Sequence, residues 1–185
     1  MEAKINREVL ETVSFLQQVM DKAQMGVLVT ALDAHDYEEI VNQEPSVLNW
    51  LDYYPKMCSI KSALHMGLKV INNEDFQGAV LGIYDALTDQ FHIILLEQLA
   101  LSVHEQQLQH RLVSLVSIAA VYFMSLYPNH SGVHIVEPFE SLIPYYEEFG
   151  FYKTDADAST MYATFEQLFE CQQDVFFSVS VQDVY

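Results

Sequence analysis

The chain is expected to fold as one mixed α/β domain, and three observations carry that expectation. Hydrophobic residues make up 51% of its 185 residues, enough apolar side chain for a sizeable core. Stretches with helical spacing alternate with short apolar runs bounded by turn residues. No linker, internal repeat or low-complexity tract interrupts them.

The elements follow in order. Residues 5–25 read as an amphipathic helix, with Ile5, Val9, Val13, Leu16 and Met20 on one stripe and Gly26 as the stop. Residues 27–32, VLVTAL, read as a strand, and Asp33 as the N-cap of a helix over 34–43. Pro45 breaks that helix, Ser46 caps a second one, VLNWLDYY, and Pro55 ends it. Residues 56–72 are ambiguous: KSALHMGL suits a helix and GLKVI a strand. A turn at 72–75 leads into a strand over 78–87, and a tight turn at TDQ into a long apolar strand over 91–102, read as buried on both faces. An apolar helix spans about 107–127 and ends before Pro128. A loop at 129–132, a strand at 133–136 and a helix at 138–149 follow, with Phe139, Leu142, Ile143 and Tyr146 on one helix face and Gly150 as its C-terminal stop. FYKT, TMYATFEQLF and VFFSVSV read as strands.

Charge narrows the partners. There are 26 acids and 8 bases, a net charge of −18. Residues 1–69 hold 10 acids and 6 bases, whereas residues 70–185 hold 16 acids and 2 bases, Arg111 and Lys153. Such a surface repels nucleic acid and anionic membranes and favours a cationic small molecule or a basic protein; acidity that serves solubility alone is the plainer explanation. The longest uncharged apolar run, 112–127, has 16 residues and falls short of the roughly 20 that a membrane span needs. With no signal-peptide pattern at the N-terminus, the expected location is the cytoplasm. Cys58 and Cys171 share no motif and read as inert thiols. His130 and His134 are four apart but straddle a loop and a strand, and His104 and His110 lack ligand spacing, so no metal site is expected.

The segment LIPYYEEFGF, 142–151, carries a resemblance. Tyr145, Tyr146, Gly150 and Phe151 match the aromatic-Tyr-x-x-x-Gly-Phe ending of the Gcn5-related N-acetyltransferase family, after a short strand and a helix as in that family. TALDAHDYEEI, 30–40, resembles the family's opening strand and first helix. The resemblance covers roughly 26–165, which leaves residues 1–25 as a helical extension and 166–185 as a C-terminal one. It implies a mostly antiparallel central sheet flanked by helices, with an extra N-terminal helix, in a single domain.

The resemblance also implies a chemistry. Family members hold acetyl-CoA at a loop after the long strand, with Gln or Arg followed by small residues that let main-chain N–H groups close on the pyrophosphate. In this chain Gln106 falls at the first position, while Gln109 and Arg111 replace the small residues, so the glycine-rich loop is missing. Cofactor contacts are accordingly assigned to Leu99, Leu101, Gln106, Gln109 and Arg111. By resemblance Tyr146 donates a proton to the departing thiolate; packing of a core aromatic explains the same residue. Glu97, alone among apolar neighbours on the long strand, is the candidate general base; solvation in an open cleft is its plainer reading.

Three readings result. The first is an acyl-CoA-dependent N-acetyltransferase with an altered cofactor loop and a cationic amine substrate. The second is a non-catalytic acidic protein of the same fold that binds a basic partner by imitating the charge of nucleic acid. The third is an acidic homodimer with only an assembly role.

Overall fold

The computed structural model describes residues 6–44, 46–57, 59–71, 75–99, 111–154 and 159–175. Seven strands form one sheet in the order β1-β2-β3-β4-β5-β7-β6, where β1 is Val27–Ala31, β2 Ala63–Val70, β3 Phe76–Asp85, β4 Gln90–Gln98, β5 Gly132–Val136, β6 Tyr152–Lys153 and β7 Thr160–Thr164. Every neighbouring pair is antiparallel except β4 with β5. That parallel pair requires a crossover, and the apolar helix α4, Leu112–Ser125, belongs to it. The expected mixed, mostly antiparallel sheet flanked by helices is therefore the one observed.

Two apolar layers sandwich the sheet. On one face α1, Arg7–Lys22, and α4 pack over Leu64, Met66, Val80, Phe91, Ile93, Val133 and Ile135. Phe15 of α1 stacks on Tyr122 of α4 with centroids 4.1 Å apart. Nearly every side of α4 is buried, which explains its lack of a polar face. Gln17 of α1 also reaches the outermost strand: it donates to the Val27 carbonyl and accepts from the Val29 N–H, so it satisfies part of an otherwise bare sheet edge.

On the other face α2, Ala34–Asn42, and α3, Trp50–Met57, cover Phe76, Ala79, Leu81, Leu95 and Leu99. Asp33 caps α2 as expected, within a reciprocal pair in which Asp36 bonds back to the Asp33 N–H. The second helix differs from expectation. It starts at Trp50, carries Pro55 inside its last turn, and is not capped by Ser46, whose hydroxyl is directed to Glu97. The ambiguous stretch is strand β2. Residues 63–68 are buried between both helical layers, so their sequence shows no alternation.

Four further expectations are corrected. The long strand β4 is not buried on both faces: buried residues alternate with half-exposed ones. The helix expected over 138–149 is a single 3-10 turn, Glu140–Leu142, followed by α5, Ile143–Glu147. Phe139 and Leu142 do not seat it, being 55% and 38% exposed, whereas Tyr146 is buried. TMYATFEQLF is strand only to Thr164; Thr164 then caps helix α6, Phe165–Glu170. The segment VFFSVSV lies, after Val175, outside the described residues. Among the described residues no helix is long and apolar enough to cross a membrane.

The Gly-Phe pair ends α5 by a definite geometry. Gly150 has φ +89°, its N–H bonds the Glu147 carbonyl, and the Phe151 N–H bonds the Tyr146 carbonyl. This is a Schellman closure, with Phe151 and Tyr146 completing its apolar contact in the core. A Cβ at Gly150 would meet no atom within 4 Å, so Gly150→Ala tests backbone conformation without a clash. The substitution should cost about 1–2 kcal/mol in urea unfolding, the penalty of placing an L side chain at positive φ.

Candidate functional site

The site begins with an irregularity in β4. Leu81 of β3 pairs with Leu95 and Gly82 with Ile93, so Ile94 is an extra residue, a β-bulge. The bulge exchanges the faces of the strand. Phe91 and Ile93 belong to the α1/α4 core, whereas Leu95 and Leu99 belong to the α2/α3 core. The same point marks the end of the parallel ladder. β4 pairs with β5 from Gln90↔Gly132 to Ile93↔Ile135, and Val136 pairs only with Thr160 of β7. Among the described residues no strand continues the ladder beside 94–98 on the side away from β3. Among the described residues, the main-chain groups of β4 on that side thus have no strand partner at the C-terminal end of two parallel strands, a place where α/β sheets commonly take ligands.

Glu97 stands in this stretch, 7% exposed and turned to the α2/α3 face. Both carboxylate oxygens are in use. Oε1 accepts from the main-chain N–H groups of Val47 and Leu48 at 2.6 and 3.1 Å. Oε2 accepts from Trp50 Nε1 at 2.7 Å and Ser46 Oγ at 3.1 Å. All four donors come from residues 46–50, the connection between α2 and α3 together with the first residue of α3. Gln43, at the end of α2, secures the other side of that connection: its amide bonds both main-chain groups of Phe76 and the Leu99 carbonyl. Glu97 is therefore neither solvated nor open-sided. The roles of Gln43, Ser46 and Trp50 escape sequence reasoning because each depends on a contact over more than 30 positions.

Tyr146 lies on α5 with its ring in the α1/α4 core, 4% exposed, beside Tyr145 at a centroid distance of 6.0 Å. Burial, and then the neighbouring phenol, push its pKa above the ordinary tyrosine value, which already leaves the phenol protonated at neutral pH. Arg111 is the N-cap residue of α4 and has no acceptor to offer the first-turn N–H groups, and that turn contains no acid. Leu99 is buried among α2/α3 residues, with its N–H bonded to the Gln77 carbonyl at 2.9 Å. Leu101, Gln106 and Gln109 lie outside the described residues, as do His104, His110 and Cys58.

The remaining candidates lie elsewhere. His134 stacks on His92 across the β4–β5 ladder, 4.9 Å between centroids, and His130 lies against Phe165. Among the described residues no group of three or more His, Cys, Asp or Glu side chains is placed to hold a metal ion. Cys171 is exposed and free.

On the α2/α3 side His65 is buried beside Tyr37, which also meets Trp50 and Tyr54 edge-on or tilted. Burial lowers the His65 pKa, so the folded state resists protonating it. Near pH 6.5 and below, the unfolded chain binds a proton there that the folded chain does not, and stability falls as the pH falls. His65→Gln should therefore lose less melting temperature than the wild type between pH 7 and pH 5. Equal losses in a pair of thermal scans would show that His65 does not contribute.

No family model matches the chain, and no curated protein matches it in sequence. Solved structures do match. The spermidine N-acetyltransferase of Vibrio cholerae, in complex with CoA and spermine, superposes with a TM-score of 0.54 at 13% identity, over 77% of this chain and 98% of that one. An aminoglycoside 6'-acetyltransferase type Ii gives 0.51 at 10%, over 75% and 97%. The KacTA–DNA complex gives 0.56 at 13%, over 80% and 99%. Identities this low speak for the fold alone. With the strand order, the bulged and parted β4 and the α5 closure in place, the protein has the Gcn5-related N-acetyltransferase fold, in a divergent form.

Proposed function

We propose that the protein is an acyl-CoA-dependent N-acetyltransferase acting on a cationic amine. The observation that carries this reading is the parting of β4 from β5 after Ile93↔Ile135, beside a bulge that opens residues 94–98. An extended ligand arm containing amides can pair with such an edge as an added strand would.

The described residues fit an acyl-CoA in two respects. The open edge offers main-chain donors and acceptors, and the first turn of α4 offers N–H groups free of acidic neighbours in its own turn, with Arg111 beside them. Acyl-CoA would supply an acyl group activated as a thioester. Arg111 would contribute positive charge near a phosphate. Tyr146, like any phenol, carries its proton at neutral pH, the state required of a general acid toward a leaving group, and burial only raises its pKa further. The excess of 16 acids over 2 bases in residues 70–185 supports a cationic acceptor, since it draws amines and repels anions. Spermine, present with CoA in the Vibrio cholerae complex, is a polyamine cation of that class.

A second reading has its own support. Gln109 and Arg111 stand where the family keeps small residues, and the strong negative charge works against an anionic cofactor. In that reading the fold is kept as an acidic module for a basic protein.

Thermal shift separates the two. Acetyl-CoA at micromolar concentration should raise the melting temperature by several degrees under the first reading, as ligand in excess of its Kd stabilises the folded state. Flat curves together with co-purification of a basic protein would favour the second. Given binding, Tyr146→Phe should lower kcat about 100-fold or more while leaving acetyl-CoA affinity unchanged.

A further inference from the structure

We propose that Glu97 is a positioning residue: its carboxylate fixes the 46–50 connection as a rigid wall of the acceptor side of the cleft, and it is not the base that takes the amine proton. The inference rests on the acetyltransferase reading above and assigns the acceptor side of that same site.

A carboxylate has about four lone-pair positions. In Glu97 four donors use them, two on each oxygen, at 2.6–3.1 Å. Three of these donors are N–H groups that cannot turn to accept a hydrogen bond. The carboxylate, 7% exposed, is thus left with no open lone-pair position to turn toward an incoming amine. A base must reach the proton it takes, directly or through one water, and every position on this carboxylate is already committed to residues 46–50.

The same bonds describe what Glu97 does instead. They hold Ser46, Val47, Leu48 and Trp50, four of five consecutive residues, against β4 within the stretch where the strand has lost β5. The connection is thus ordered before any ligand arrives. Val47 has its N–H held by Glu97 while its side chain is 78% exposed, so the fixed backbone presents an apolar tip to solvent beside the open edge. A wall fixed in advance lowers the ordering cost of binding and shows in acceptor affinity rather than in the chemical step.

Trp50 is the chain's only tryptophan and donates directly to Glu97, so its emission reports on this contact. The test uses the full chain with acetyl-CoA and, as probes, spermidine and a lysine-containing peptide. Binding of each amine is followed by Trp50 emission without cofactor, and turnover by thiol release. Glu97→Gln keeps the shape but turns an NH₂ toward two donors. It should weaken amine binding and raise the amine KM by about 10-fold or more, with kcat within about 3-fold and the acid limb of the pH–rate profile unmoved. Ser46→Ala removes one donor and should raise KM by about 2- to 5-fold, which decides the matter if Glu97→Gln fails to fold. A fall in kcat of about 100-fold at unchanged KM, with loss of the acid limb, would make Glu97 the base and overturn the proposal. Unchanged amine affinity in both variants would overturn it as well. A wild-type protein that neither binds acetyl-CoA nor transfers from it would instead remove the acetyltransferase reading, and this assignment with it.

Discussion

One extra residue in β4 sets the arrangement of the whole site. Ile94 has no partner on β3, and beyond it the strand presents its side chains to opposite faces from those before. Up to Ile93 the strand is bound on both edges; after it, among the described residues, β3 alone pairs with it. Without the bulge Glu97 would point at the α1/α4 layer. With it, Glu97 points at the α2–α3 connection and meets four donors there. The end of the β4–β5 ladder and the turn of Glu97 toward residues 46–50 thus fall at the same point of the strand.

The energetics explain why that arrangement holds. A buried carboxylate is expensive unless its oxygens are satisfied, and hydrogen bonds to a charged group contribute roughly 1.5–3 kcal/mol each. Glu97 meets this condition with groups of residues 46–50 alone, so the bulged strand and the start of α3 with the connection before it stabilise each other. Gln43 repeats the device at the neighbouring strand end, where one amide side chain closes on Phe76 and Leu99. The α2/α3 layer is therefore fixed to the sheet by apolar packing along its length and by polar contacts at the cleft.

Much of the fold was legible in the sequence where local signals were strong. Asp33 announces its helix by a side chain that bonds nearby N–H groups, and Gly150 announces a helix end by a conformation other residues avoid. The strands β1, β3 and β5 follow from apolar runs between turns. Legibility failed where tertiary contacts decide. β2 is covered on both faces and has no alternation to read. Phe139 and Leu142 look like helix-seating residues, yet the chain before Ile143 is a 3-10 turn that leaves them exposed. Thr164 ends a strand and caps a helix at once, so the apolar run through it looks continuous. Tyr146 and Glu97 stand out in the sequence by type and position, one before a Gly-Phe pair and one alone in an apolar strand. The partners of Glu97 do not, because a bulge leaves no mark on an alternating apolar strand and its donors lie some 50 residues earlier.

The account depends most on the open edge of β4 receiving an extended ligand. Amide hydrogen exchange measured residue by residue, with and without CoA, tests this directly. In the free protein, the amides of residues 94–98 that point toward β3 should exchange slowly and those that point away should exchange quickly. Saturating CoA should slow the second group and leave the first unchanged. Fast exchange of that group in the presence of CoA, or its full protection before any ligand is added, would contradict the account.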